Sequence, residues 1–191
     1  ALFHSTEGYI SAARNEFSKM VAAEAIRNVA RNLAASIREP ENMEAMSAVA
    51  PGSYLSGIQM AVGSCTSAHP LEHALSAYHE ELPHGAGLIM ISKAYYSHFV
   101  DKHACDERFI EMAKLMGMEH AEKPEDFITA LVRLQEDCNV ADLKMSDYGI
   151  DPEEFPKMAQ NARDTLGPNF LNDPCQLSNE DCVKIYQKSY Q

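Results

Sequence analysis

The 191-residue sequence carries 28 acidic against 16 basic side chains, a formal net charge of −12, and 46% of its residues are apolar. That balance argues against a nucleic-acid backbone or an anionic membrane as partner, and it supplies a core for one domain or a tightly packed pair of helical subdomains. No run of about 18 apolar residues occurs, so no membrane-spanning helix is expected. The five cysteines (Cys65, Cys105, Cys138, Cys175 and Cys182) form no CxxC pair, which favours reduced thiols in a cytoplasmic protein.

Helical periodicity dominates and strand alternation is nearly absent. Ala1 to Ala13 reads as one helix, entered without an initiator Met and with Leu2, Phe3 and His4 already in helical pattern, so a preceding N-terminal partner is expected. Glu16 to Ile37 is a second helix, with Phe17, Met20, Val21, Ala25, Val29 and Leu33 recurring at three- and four-residue spacing. Arg38-Glu39-Pro40 stops it. Helix resumes over Glu41 to Ala50, is expected to break at Pro51-Gly52-Ser53, and continues over Tyr54 to Gly63.

Pro70 suits the first turn of a helix running to about His79. An apolar helix from about Ala86 to His103 follows the Pro83-His84-Gly85 turn, then an amphipathic one over Asp106 to Met116, and Pro124 opens another to about Cys138. Asp151-Pro152-Glu153-Glu154 reads as an N-cap, a first-turn Pro and acidic residues at the positive end of a helix dipole. Ser178 with Asp181 has capping-box character and starts a last helix to Tyr190. The expectation is an all-α multi-helix bundle of about eight to nine helices.

Four of the eight histidines fall between positions 69 and 84: His69, His73, His79 and His84. His69 and His73, four apart, share one face of a continuous helix. With His84 from the following turn, imidazoles could converge on Fe, Zn, Ni or Cu. Taken singly, each is more often a surface or hydrogen-bonded histidine than a ligand, and the pair is not an HExxH, because Pro70 follows His69.

The stretch from His69 through Glu72-His73-Ala-Leu-Ser-Ala to Pro83-His84-Gly85 resembles the signature of iron-containing (group III) alcohol dehydrogenases. Ala1-Leu-Phe-His4-Ser-Thr-Glu-Gly-Tyr-Ile is similar to that family's Asp-x-x-x-His helix, from just after the Asp. Asn172-Asp173-Pro174-Cys175 and the helix after Ser178 resemble its closing segment, with Cys175 where members often have Arg.

The resemblance implies that residues 1–191 are the helical metal-binding C-terminal domain, of the dehydroquinate synthase-like fold, and that a nucleotide-binding α/β domain is absent from the chain. It implies metal ligation by His4, His69 and His84, with the fourth ligand an Asp one position before Ala1. His73 would lie near the nicotinamide and the substrate, as a catalytic and cofactor-binding residue. The implied cofactors are Fe2+, with Zn2+ or another divalent metal as substitutes, and NAD or NADP. The implied reaction is hydride exchange between a small alcohol or aldehyde and the nicotinamide, with the metal as Lewis acid, in a homo-oligomer.

Two other readings compete with it. A non-catalytic helical interaction domain with incidental histidines predicts His4 far from the 69–84 cluster. A stand-alone helical metalloprotein needs its own carboxylates. Glu7, Glu72 and Glu80 are the candidates there, each otherwise expected to be a solvated helix residue. Cys65, near the cluster in sequence, reads as a small apolar residue.

Overall fold

Periodicity and capping chemistry set most boundaries of the computed structural model, which describes residues 1–191 as nine α-helices and no strand. These are α1 (Leu2–Ile10), α2 (Glu16–Arg38), α3 (Met43–Gly63), α4 (Ala68–Tyr78), α5 (His84–Asp101), α6 (Asp106–Leu115), α7 (Glu125–Asp137), α8 (Phe155–Leu166) and α9 (Asn179–Ser189). The all-α expectation therefore holds. Three capping boxes punctuate the chain. Asn15 accepts from the Ser18 amide at 2.9 Å while Ser18 Oγ accepts from the Asn15 amide at 3.0 Å, starting α2. Ser178 and Asp181 exchange the same pair of bonds ahead of α9. Asp151 caps a short 3-10 turn, Pro152–Glu154, that leads into α8.

The α2 stripe is rotated from the one read in the sequence. Val21, Ala22, Ala25, Ile26 and Val29 are buried, whereas Phe17 and Met20 are exposed. The first helix also ends earlier than expected, at Ile10, with Ser11 as its C-cap.

The largest departure is α3, which runs through Pro51 without a break. An internal proline costs a helix about 3 kcal/mol, so packing has to outweigh it. Gly52 shows how closely α3 lies on α2: a Cβ there would stand 2.8 Å from Val29 Cγ2 and 3.3 Å from the Ala25 carbonyl oxygen. The two helices form a tight hairpin, and burial along it overrides the local signal.

Helix α1 packs against this hairpin and against α6, while α4, α5, α8 and α9 form the other side of the bundle. One continuous apolar core joins the two sides, from Ile10 and Ile26 through Tyr95, Tyr96, Phe99 and Phe127 to Phe155 and Tyr186. Ser5, Thr6 and Glu7 of α1 are fully buried as well. Of these, Thr6 bonds Tyr96 in the core, while Glu7 bonds Thr66 and His69 and so leads to the site. No helix is long and apolar enough to cross a membrane.

Candidate metal centre

Four imidazoles meet where the N-terminal half of α1 faces α4 and the start of α5. His4 stacks on His69, with ring centroids 4.2 Å apart and planes 16° from parallel. His84 lies 5.4 Å from His69 and 5.3 Å from His73, and His69 and His73 are 6.1 Å apart. His84 is the first residue of α5 rather than part of a preceding turn, with Pro83 as the N-cap. Two separate sets of ligand atoms each lie within 4.8 Å of one another: His4, Cys65 and His69, and Glu72, His73 and His84. The interaction-domain reading required His4 to be remote from this cluster. It is stacked on it.

Two of the rings are held from behind by carboxylates. Glu7 bonds His69 Nδ1, and Glu72 bonds His84 Nδ1. Both glutamates are fully buried, which corrects the expectation that they are solvated, while Glu80 is exposed as expected. Glu7 also accepts from the amide and hydroxyl of Thr66, each at 3.0 Å. Glu72 accepts from Ser76 Oγ and lies against Gly87, where a Cβ would stand 2.7 Å from its Cγ and Oε1.

Behind this shell, Tyr95 donates to Thr66 Oγ1 at 2.8 Å and stands 3.1 Å from Asp173 Oδ1. Asp173 Oδ1 in turn accepts from the Ser67 amide and hydroxyl, both at 3.0 Å. Asn172 donates to Ser64 Oγ and to the Cys65 carbonyl at 3.0 Å. The Asn172-Asp173 segment therefore pins the 64–67 loop that delivers α4 and its histidines. Periodicity alone gave no sign of this role.

The electrostatics differ from ring to ring. Burial, followed by the neighbouring His69, holds His4 down at about 4. Burial also lowers His73, against the opposing pull of Glu72. Burial opposes charge on His69, yet the Glu7 carboxylate outweighs it and raises that group. His69 Nε2 is buried and has no hydrogen-bond partner. A desolvated, unpaired ring nitrogen among other imidazoles is unfavourable by itself and suits a fourth party that accepts lone pairs. The donor set therefore fits a divalent transition metal. Cys65 is buried as expected, and burial pushes its thiol up, but its Sγ is within reach of His4 and His69.

Three histidines outside the cluster are structural or superficial. His79 bonds Glu154 at 2.8 Å, His103 bonds Asp106 at 2.9 Å on the surface, and His120 is exposed. An apolar hollow of about 320 Å3 is lined by Phe3 and Gly85, the chain neighbours of His4 and His84, together with Leu33, Ile89, Leu131 and Leu134.

Residues 1–190 match the family model described as the C-terminal part of the Fe-containing alcohol dehydrogenases. The chain is 26% identical to the 1,3-propanediol dehydrogenase of Klebsiella pneumoniae and 28% identical to a long-chain primary alcohol dehydrogenase of Thermoanaerobacter ethanolicus. All of this chain aligns in both cases, against 49% and 48% of the relatives, so it spans about half the length of the curated relatives it matches. Among solved structures, 1,3-propanediol oxidoreductase superposes with a TM-score of 0.91 at 26% identity, over 99% of this chain and 49% of that one. The alcohol dehydrogenase of Oenococcus oeni shares the fold at a TM-score of 0.89 and 24% identity, over 99% of this chain and 49% of its own. The chain belongs to the iron-containing alcohol dehydrogenase family and corresponds to its all-helical C-terminal part.

Proposed function

We propose that residues 1–191 are the metal-binding domain of an NAD(P)-dependent alcohol dehydrogenase, with His4, His69 and His84 holding one divalent ion. Fe2+ is the expected metal, with Zn2+ as a substitute. The observation that carries this reading is the clustering of four imidazoles, among which the Nε2 of His69 is buried without a partner. When bound, such an ion supplies Lewis acidity to an alcohol or aldehyde oxygen.

The chain's own residues do the rest. His4 and His69 present stacked rings from two helices, and His84 closes the set from the start of α5. His73, exposed at the rim, is assigned to contact with the substrate or the nicotinamide. The apolar hollow beside Phe3 and Gly85 suits the hydrocarbon part of a small alcohol or aldehyde. No Gly-rich phosphate loop occurs in these residues, so the nicotinamide cofactor is assigned to an N-terminal α/β domain of the same protein. The 191-residue chain alone is expected to show negligible dehydrogenase activity.

Calorimetric titration with Zn2+, and with Fe2+ under anaerobic conditions, tests the assignment. One equivalent bound by the parent chain and lost in a His69→Ala, His84→Ala double variant is the expected result. Equal binding by both would overturn the ligand set.

A further inference from the structure

We propose that Glu7 and Glu72 are positioning residues that lock His69 and His84 in the Nδ1–H tautomer, so that both rings offer Nε2 as the coordinating atom before any metal arrives. The inference rests on the metal-centre reading above and extends it to two residues outside the ligand set.

The two contacts share one chemistry. In each, the carboxylate oxygen meets Nδ1, and in each the carboxylate is fully buried. An ionised carboxylate only accepts hydrogen bonds, so the ring nitrogen facing it has to carry the proton. The other nitrogen is then a free lone pair, because the bond made by one ring nitrogen decides the state of the other. For His69 the consequence is visible, since Nε2 is buried without a partner. As a lone pair it awaits an acceptor. As an N–H it would be a stranded donor.

Each carboxylate is itself fixed. Glu7 takes both Thr66 donors at 3.0 Å, and Thr66 is braced by Tyr95 at 2.8 Å. Glu72 takes Ser76 Oγ and fills the space left by the missing side chain of Gly87. The pairing crosses elements. Glu7 of α1 holds His69 of α4, and Glu72 of α4 holds His84 of α5. Three helices are thereby registered to one another through the centre. A glutamate whose only task was to solvate a helix would be exposed. These two are buried, and each directs an oxygen at a ring nitrogen in the cluster.

Nitrogen-15 NMR of the ring nitrogens of the 191-residue chain, in metal-free alkaline buffer, tests the inference. His69 and His84 are expected as Nδ1–H tautomers. Glu72→Met should switch His84 to the Nε2–H form, leave His69 unchanged and weaken Zn2+ binding about 10- to 100-fold. Glu72→Gln, whose amide oxygen can still accept from Nδ1–H, should keep the tautomer and recover most of the affinity. Glu7 is read in the parent chain alone, since removing it strands the Thr66 amide.

An Nε2–H tautomer of His84 or His69 in the parent chain overturns the inference, as does a Glu72→Met chain with unchanged tautomer and affinity. If Zn2+ binding is then still lost in the His69→Ala, His84→Ala variant, the metal-centre reading survives. A parent chain with both Nδ1–H tautomers but no Zn2+ uptake, even after an Asp is restored one position before Ala1, overturns the metal-centre reading, and with it the purpose assigned to the two carboxylates.

Discussion

Replacing Asp173 by Asn should change the pH dependence of folding in a direction that its surroundings dictate. Asp173 is 6% exposed. Burial raises its carboxyl from 3.8 to about 7, against the opposing hydrogen bonds from Ser67 and Tyr95. Between those values the folded chain keeps a proton that the unfolded chain has lost, so this contribution is full below about pH 4 and disappears as pH rises through about 7. At about 1.4 kcal/mol per pH unit, the shift corresponds to roughly 4 to 5 kcal/mol, of which roughly 3 to 4 kcal/mol is lost between pH 4 and pH 8. Asn keeps an oxygen for the Ser67 amide and hydroxyl and removes the titration. His4 acts in the opposite sense over an overlapping range, because a histidine held at about 4 stabilises the fold above 6.5 and loses that contribution on acidification. The difference between parent and variant cancels it. Urea unfolding followed by circular dichroism, stepped from about pH 4 to pH 8, should show the parent losing roughly 3 to 4 kcal/mol relative to Asp173→Asn. Parallel profiles would refute the reasoning.

Three further perturbations follow from the same contacts. His4→Gln in the metal-free chain should flatten the acid limb between pH 6.5 and 4, by about 1 to 2 kcal/mol once partial exposure is discounted, as read by the same titration. Gly87→Ala places a methyl 2.7 Å from the Glu72 carboxylate arm and should cost about 1 to 3 kcal/mol in thermal unfolding while lowering Zn2+ affinity. Phe127→Ala, which empties a fully buried position beside Tyr96 and Phe109, should cost about 3 to 5 kcal/mol in thermal unfolding and leave the site's ligand residues untouched.

Much of the fold was legible because helix starts carry local chemistry. The Asn15, Asp151 and Ser178 caps involve residues within three positions of one another, and the same is true of Pro70 in the first turn of α4. Pro51 misled because its cost is local while the compensation, the close seating of Gly52 on Val29, comes from residues more than twenty positions away. The rotated α2 stripe has a similar origin. Phe17 and Met20 satisfy helical spacing equally well, and only the placement of α3 and α1 decides which face is covered.

The site divides the same way. That His69 and His73 share a helix face follows from a spacing of four. That His4 stacks on His69 does not follow from any spacing, and it was anticipated only through the family's motif. Glu7 and Glu72 were singled out only as carboxylates for a stand-alone metalloprotein and otherwise expected to be solvated; their place behind His69 and His84 was missed, although each stands three residues after a cluster histidine, as His4-x-x-Glu7 and His69-x-x-Glu72. A charged residue on the histidine-bearing face of a helix bound for the interior was the available signal. The bracing of the 64–67 loop by Asn172 and Asp173 spans more than a hundred residues and left no trace in local pattern.

The most direct test of the central claim is anomalous diffraction from crystals of the chain soaked in Zn2+ or, anaerobically, Fe2+. The account predicts a single anomalous peak at coordinating distance from His4, His69 and His84. A peak confined to Glu72, His73 and His84, or one away from the cluster altogether, would contradict it.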